Sequence, residues 1–305
     1  MQNAPLSAVY GAPPKDLADV DPQAIQVSPL TPGATALDDL TEESLDALVM
    51  LAPFGTLERR YALAQALRTL KPGGTITVMA PKDKGGARLG KELASFGCAP
   101  QETAKRHHRV CVAVKPAAPA GLDAAIVEGG PRRVESTGLW SQPGVFSWDR
   151  IDPGSALLAA RLPALSGHGA DLGCGVGYLA HAILKHSAVE QLEMVDIDRR
   201  AIAAAQRNVA DPRAVFHWAD VANGDPSLEG LDFVVMNPPF HDAGVEDRGL
   251  GSIFITRAAR MLRKGGVCWL VANRHLPYEA ALALNFSKMQ PDAESGGYKI
   301  YEAIR

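Results

Sequence analysis

The tetrapeptide Asn237-Pro238-Pro239-Phe240, directly after the apolar run Phe233-Val234-Val235-Met236, constrains this chain more than any other feature. Two consecutive prolines withdraw two backbone donors and fix φ, so a strand that reaches them must stop, and the Asn side chain is held at the strand's carboxyl end. The surrounding pattern gives that strand a setting. Residues 169–172, 192–196 and 231–236 are short apolar runs, followed by helical patterns over 178–187, 199–209 and 252–263. Leu179, Ala182 and Ile183, and likewise Ile202, Ala205 and Val209, recur at helical spacing, so these helices have one apolar face to lay on a sheet. Repeating strand-then-helix units predict a parallel, doubly wound α/β fold. Residues 267–272 read as a further buried strand, and 298–304 as an edge or antiparallel strand.

The pattern occurs twice. Leu45-Asp46-Ala47-Leu48-Val49-Met50-Leu51-Ala52-Pro53-Phe54 parallels the run from Leu231 to Phe240, and Leu70-Lys71-Pro72-Gly73-Gly74 parallels Leu262-Arg263-Lys264-Gly265-Gly266, with a six-residue shift that suits a loop. A tandem duplication of one α/β domain is expected. At 305 residues the chain can bury two cores. Pro- and Gly-rich stretches place a first domain at residues 1–120, a linker at 121–144 and a second domain at 145–305.

Asp171-Leu172-Gly173-Cys174-Gly175-Val176-Gly177 follows a strand and opens a helix, where backbone N–H groups face a ligand. Gly173, Gly175 and Gly177 let the backbone approach it closely. Tyr178 stands where a dinucleotide fingerprint needs Gly or Ala, so a nicotinamide oxidoreductase fits badly and a smaller cofactor fits better. Asp196, at the end of the next strand, can accept both ribose hydroxyls of an adenosine, with Asp198 its local competitor. Asp220, beyond a third strand, can accept from an adenine amine. Each aspartate also suits a helix cap or turn.

An exocyclic aromatic amine has its lone pair delocalised into the ring. The Asn237 oxygen and the Pro238 carbonyl can each accept one of its N–H bonds, favouring the pyramidal nitrogen that attacks a sulfonium methyl group in line. Pro239 keeps the turn rigid, and Phe240 can stack on a base that has been flipped out. No cysteine nucleophile for carbon methylation lies near. The readings are methyl transfer from a sulfonium donor to an exocyclic amine of a nucleic-acid base, among them the adenine N6 amine of RNA or DNA, or to a protein glutamine amide. From another class comes a catalytically silent RNA-binding or assembly scaffold.

The glycine loop, Asp196 and Asn237-Pro238-Pro239-Phe240 resemble class I methyltransferases acting on planar nitrogens. With Pro143-Gly144-Val145-Phe146-Ser147-Trp148-Asp149-Arg150-Ile151-Asp152-Pro153-Gly154-Ser155, the chain resembles the bacterial ribosomal RNA guanine-N2 methyltransferases with duplicated domains, of the small-subunit (16S) type. That resemblance implies two Rossmann-like domains, the first degenerate and aiding folding and RNA contact. It also implies S-adenosylmethionine as cofactor, Phe146 and Asp149 lying over it, Asn237 orienting the guanine amine, and ribosomal RNA or the small subunit as partner.

The net charge of −3 argues against indiscriminate coating of nucleic acid, although residues 82–115 are basic and Lys105-Arg106-His107-His108-Arg109 could meet phosphates or be a solvated edge strand. Arg132 and Arg133 are ambiguous in the same way. Scattered cysteines without metal spacing, and the lack of a leader or apolar span, point to a cytoplasmic protein without metal or membrane attachment, and a monomer is expected although nothing in the sequence fixes the oligomeric state. His181, His217 and His275 have no evident partner carboxylate in the sequence and receive no role.

Overall fold

A computed structural model describes residues 5–239, 241–242, 245–246 and 248–305. The chain forms two compact units, Met1–Pro131 and Arg132–Arg305.

The first unit contains β1 (Ser7–Tyr10), β2 (Ile25–Gln26), β3 (Leu45–Leu51), α1 (Thr56–Thr69), β4 (Leu70–Pro81), α2 (Leu89–Ser95), β5 (Gln101–Lys105), β6 (His108–Val114) and α3 (Leu122–Gly129). Its sheet runs β2-β1-β3-β4-β6-β5, with β1 to β4 parallel and β6 and β5 joined antiparallel. Leu63, Ala66 and Leu67 repeat along α1 and pack with Leu45, Leu48, Met50, Ile76 and Val78 of the sheet. Truncating a fully buried leucine such as Leu67 to alanine removes about 2–5 kcal/mol.

The second unit contains β7 (Arg132–Arg133), β8 (Trp140–Ser141), α4 (Pro153–Arg161), β9 (Gly167–Leu172), α5 (Tyr178–Ile183), β10 (Val189–Asp196), α6 (Arg199–Asn208), β11 (Ala214–Trp218), β12 (Leu231–Met236), β13 (His241–Asp242), β14 (Val245–Glu246), α7 (Arg248–Met261), β15 (Leu262–Asn273), α8 (Glu279–Asn285), β16 (Lys288–Ser295) and β17 (Tyr298–Ile304). The main sheet runs β11-β10-β9-β12-β15-β17-β16, parallel from β11 to β15 and antiparallel thereafter. Along β12, Val234 and Met236 enter the core beneath α7 and α8, while Phe233 and Val235 enter the opposite core with α5 and α6. Burial on both faces is why this strand reads as an unbroken apolar run.

The two sheets share a strand order when β2, β1, β3, β4, β6 and β5 are laid on β10, β9, β12, β15, β17 and β16, with β11 having no counterpart among the described residues of the first unit. Their registers agree. Leu45 pairs with Leu70 and then, across a bulge, Ala47 with Thr75; Leu231 pairs with Leu262 and then Phe233 with Val267. The Gly-Gly turns have positive φ at Gly73 (82°) and Gly265 (75°) and are clasped by the residue after the antiparallel strand. Gly73 N–H donates to Lys115 O (3.0 Å) and Lys115 N–H to Gly74 O (2.9 Å); Gly265, Arg305 and Gly266 repeat both bonds at 3.0 and 2.9 Å. Asp46 accepts from Leu6 N (2.8 Å) and pairs with Lys71 (2.7 Å), as Asp232 accepts from His168 N (2.8 Å) and pairs with Arg263 (2.6 Å). Helices α1 and α7 both have 14 residues. The six-residue shift lies between β12 and α7, the stretch containing the β13–β14 hairpin.

One expectation needs correction and another is met. The stretch at 121–144 is not bare linker: it contains α3, whose Gly129 fits so closely against Tyr61 that a Cβ would stand 2.4 Å from the tyrosine Cβ, and the β7–β8 ribbon. Residues 298–304 do form an antiparallel strand, but the edge beyond it is β16, a polar run containing Pro291. Among the described residues no helix is long and apolar enough to cross a membrane, and no three His, Cys, Asp or Glu side chains are grouped to hold a metal.

Candidate active site

The parallel strands of the second unit bring the glycine loop, Asp196 and Asn237 to one rim, at their carboxyl ends. Beyond β9 the chain turns over its neighbour, with Gly173 N–H and Cys174 N–H both donating to Val195 O (2.8 and 3.0 Å). Gly173, Gly175 and Gly177 all have positive φ. A Cβ on Gly175 would meet no atom within 4 Å, so the loop faces open space there, whereas one on Gly177 would stand 2.8 Å from Val209, where the loop packs down on α6. A Cβ on Gly173 would come 3.9 Å from Asn237 O, which puts the loop beside the tetrapeptide.

Two carboxylates stand under this loop. Asp171 is fully buried, and among the described residues neither of its oxygens has a hydrogen-bond partner. Burial, and then the charge of Asp196, push its pKa up to about 8. Such an acceptor pair is costly unless a donor, best a cationic one, is brought to it. Asp196 accepts from Gly175 N (2.8 Å) and Asp198 N (2.8 Å), and burial raises its pKa to about 6. Asp198, the competitor, is spent as the N-cap of α6, accepting from Arg200 N (2.9 Å) and pairing with the Arg200 side chain (2.8 Å). Asp220 also takes the capping role: it accepts from Ala222 N (2.9 Å) and Asn223 Nδ2 (2.7 Å), two residues beyond the end of β11.

Asn237 follows Met236, half-buried, with Pro238 buried beneath the turn. Its Nδ2 donates to Asp152 Oδ2 and Ser155 Oγ, both at 2.9 Å. Phe240 lies outside the described residues. Sequence reasoning missed Asp152 and Ser155 in this role, because Asp152-Pro153 at a helix start is fully explained as an N-cap, which Asp152 also is (Ser155 N, 2.8 Å).

The segment leading into α4 is tied to the loop from the other side. Asn208 accepts from Trp140 N (2.7 Å) and donates to Trp140 O and Val176 O (2.9 Å each). Phe146 is 57% exposed, followed by Ser147 at φ 51°. Asp149 is exposed beside Arg150 (3.1 Å), and its carbonyl accepts from Ser136 Oγ (2.7 Å). His217, given no partner from sequence, has one: it and His168 flank the buried Glu193 at 2.5 and 2.8 Å. These two contacts hold Glu193 below the usual carboxylate range against the opposing pull of burial.

The first unit carries different groups at the matching places. By the shared strand order and register, Val9 stands for Asp171 and Leu51 for Asn237. Beyond Leu51, the fully buried Arg59 donates to Pro53 O (3.2 Å) and Phe54 O (2.8 Å) and forms two 2.7 Å bonds with Glu92. Lys105 to Arg109 form the β5–β6 turn, where Arg106 pairs with Asp16 (2.8 Å) and Arg109 with Glu102 (3.5 Å).

Comparison with known proteins agrees with this arrangement. A sequence model of the family described as methyltransferase small domain matches residues 136–302. The ribosomal RNA small subunit methyltransferase C of Shewanella pealeana is 30% identical over 276 residues, covering 87% of this chain and 79% of that protein. Its counterpart in Shewanella sediminis is 32% identical over 271 residues, covering 85% and 77%. A 16S rRNA N2 methyltransferase of T. thermophilus, solved with AdoMet and guanosine, superposes with a TM-score of 0.78 at 24% identity, over 100% of this chain and 89% of that one.

Proposed function

Because this chain belongs to the family of the ribosomal RNA small subunit methyltransferases C, we propose that its second unit transfers a methyl group from S-adenosylmethionine to the exocyclic N2 amine of a guanine in 16S ribosomal RNA. The observation that carries the reading is the Asn237 carboxamide, fixed beside the glycine loop that follows a buried carboxylate without a donor among the described residues.

The residues present fit this cofactor. Asp171 offers two unbonded oxygens to an ammonium group, Asp196 keeps lone pairs for ribose hydroxyls, and the open side of Gly175 leaves room at the loop. Phe146 and Asp149, on the segment tied to that loop, cover the cofactor; Asp220 receives the adenine amine by its remaining acceptor capacity. When bound, S-adenosylmethionine supplies a methyl group activated by the positive charge on sulfur. Asn237 Oδ1 and Pro238 O accept the two N–H bonds of the guanine amine, which draws its lone pair out of the ring and aims it. Held by these two acceptors, the nitrogen would stand ready to take the methyl group that the bound cofactor would supply, the C–S electron pair staying with sulfur, and its surplus proton would pass to water. Charge is neutralised at sulfur in this step, so alignment matters more than a strong base.

We read the first unit as a degenerate copy of the same class I domain that aids folding and RNA contact. The shared strand order, register and turn clasps support this, as does the replacement of Asp171 and Asn237 by Val9 and Leu51. The enzyme works in the cytoplasm, as a monomer, on ribosomal RNA or the small subunit. The test is transfer of labelled methyl groups to small subunits or their RNA lacking the modification, followed by nucleoside analysis. N2-methylguanosine is expected; methyladenosine, or label in protein only, would overturn the substrate.

A further inference from the structure

Asn237 is oriented from outside its own loop, by the first turn of a helix some eighty residues earlier. A carboxylate accepts hydrogen bonds and donates none, so the end of the carboxamide that meets Asp152 is its nitrogen. Turned over, the amide would set Oδ1 against Asp152 Oδ2, acceptor against acceptor, and point N–H groups at the substrate amine, donor against donor. We propose that Asp152 and Ser155 are positioning residues for the transfer: together they hold Nδ2 at the start of α4 and so leave Oδ1 as the end that receives the amine. The inference rests on the function proposed above.

Three further observations support it. Asp152 Oδ2 also accepts from Ser155 N (2.8 Å), so the carboxylate is itself fixed by the backbone of the helix it begins. Gly154 allows the close approach: a Cβ there would stand 2.7 Å from the Tyr298 ring and 3.1 Å from Asp152 Oδ2. The turn is thus held between Tyr298 and Asn237. Finally, a negative charge beside Nδ2 polarises the amide and makes Oδ1 a stronger acceptor as the attacking nitrogen becomes cationic.

The experiment measures kcat, KM for the RNA or subunit substrate, cofactor affinity and thermal unfolding for Ser155→Ala, Asp152→Ala and Asp152→Asn. Ser155→Ala should lower kcat about tenfold, as for one lost hydrogen bond, with KM and cofactor affinity changed by less than about twofold. Asp152→Ala should lower kcat by about a hundredfold. Asp152→Asn should recover most of that loss, since an amide oxygen can still accept both bonds. A second readout needs no activity: the Asn237 side-chain NH2 signals, assigned with Asn237→Ala, should shift in Ser155→Ala. Unchanged kcat in Ser155→Ala and Asp152→Ala, or losses confined to unfolding temperature and cofactor affinity, would overturn the proposal. So would an unmoved Asn237 signal. Should the signal shift while the wild-type protein methylates no guanine, the hydrogen-bond arrangement stands and the proposed function fails.

Discussion

Where the second unit buries Asp171 with both oxygens unbonded, the first has Val9; where the second presents Asn237, the first has Leu51 and, just beyond it, the Arg59–Glu92 pair. Arg59 donates to the carbonyls of Pro53 and Phe54, two and three residues beyond Leu51, so the first unit satisfies these loop acceptors from its own interior. The comparison teaches that strand order, register and turn clasps are independent of the groups on the carboxyl rim. A folded unit pays a penalty for chemistry, and it can be relieved of that penalty without losing its sheet.

The strongest way to break the contrast is to exchange the decisive side chain. Asn237→Ala should lower kcat by at least about a hundredfold with cofactor affinity nearly unchanged, measured by methyl incorporation and calorimetry. Leu51→Asn in that background should restore nothing, because Arg59 already occupies the carbonyls beyond it; any recovered transfer would show the first rim to be a latent site. Next in size, Glu92→Ala should destabilise the first unit by about 3–5 kcal/mol in urea unfolding by leaving Arg59 buried and unpaired, while Arg59→Met with Glu92→Leu should be close to neutral.

Asp171→Asn should separate stability from binding. The native Asp171 keeps its proton up to about pH 8, whereas an unfolded aspartate loses it near 4. Between those values the unfolded state binds fewer protons, so this group makes the cofactor-free protein less stable as pH rises. Asp171→Asn should remove that slope, raising the unfolding temperature at pH 8, and should weaken cofactor binding by about tenfold or more. Val9→Asp should introduce the same slope into the first unit. The smallest effects are expected from Asp46→Ala and Asp232→Ala, modest losses of unfolding temperature of similar size in the two units; a large difference between them would mean that the braces are not equivalent.

Much of the second unit was legible in the sequence, because β9, β10 and β12 are apolar strands followed by amphipathic helices, and because Asn237-Pro238 ends a strand for local reasons. The repeat was legible through Leu45–Phe54 and the two Gly-Gly turns, since those turns require particular residues. The strand β16 was not, since Lys288–Ser295 is an exposed edge without apolar alternation. Nor were Asp152, Ser155, Arg59 and Glu92 as partners: each has an ordinary local explanation as a cap or a helix charge, and the second role appears only when distant segments meet. Asp220 was legible in its local part: the capping role that any such aspartate suits is one the structure displays.

The braces made by Asp46 with Lys71 and by Asp232 with Arg263 sit where the parallel strands begin, roughly 17 Å from the rim where they end, given a rise of about 3.3 Å per residue. A change at either end is therefore felt weakly at the other. The end of each sheet where these braces sit is thus set apart from the end that carries Asn237 or Leu51, and side chains at one can be exchanged without redrawing the other.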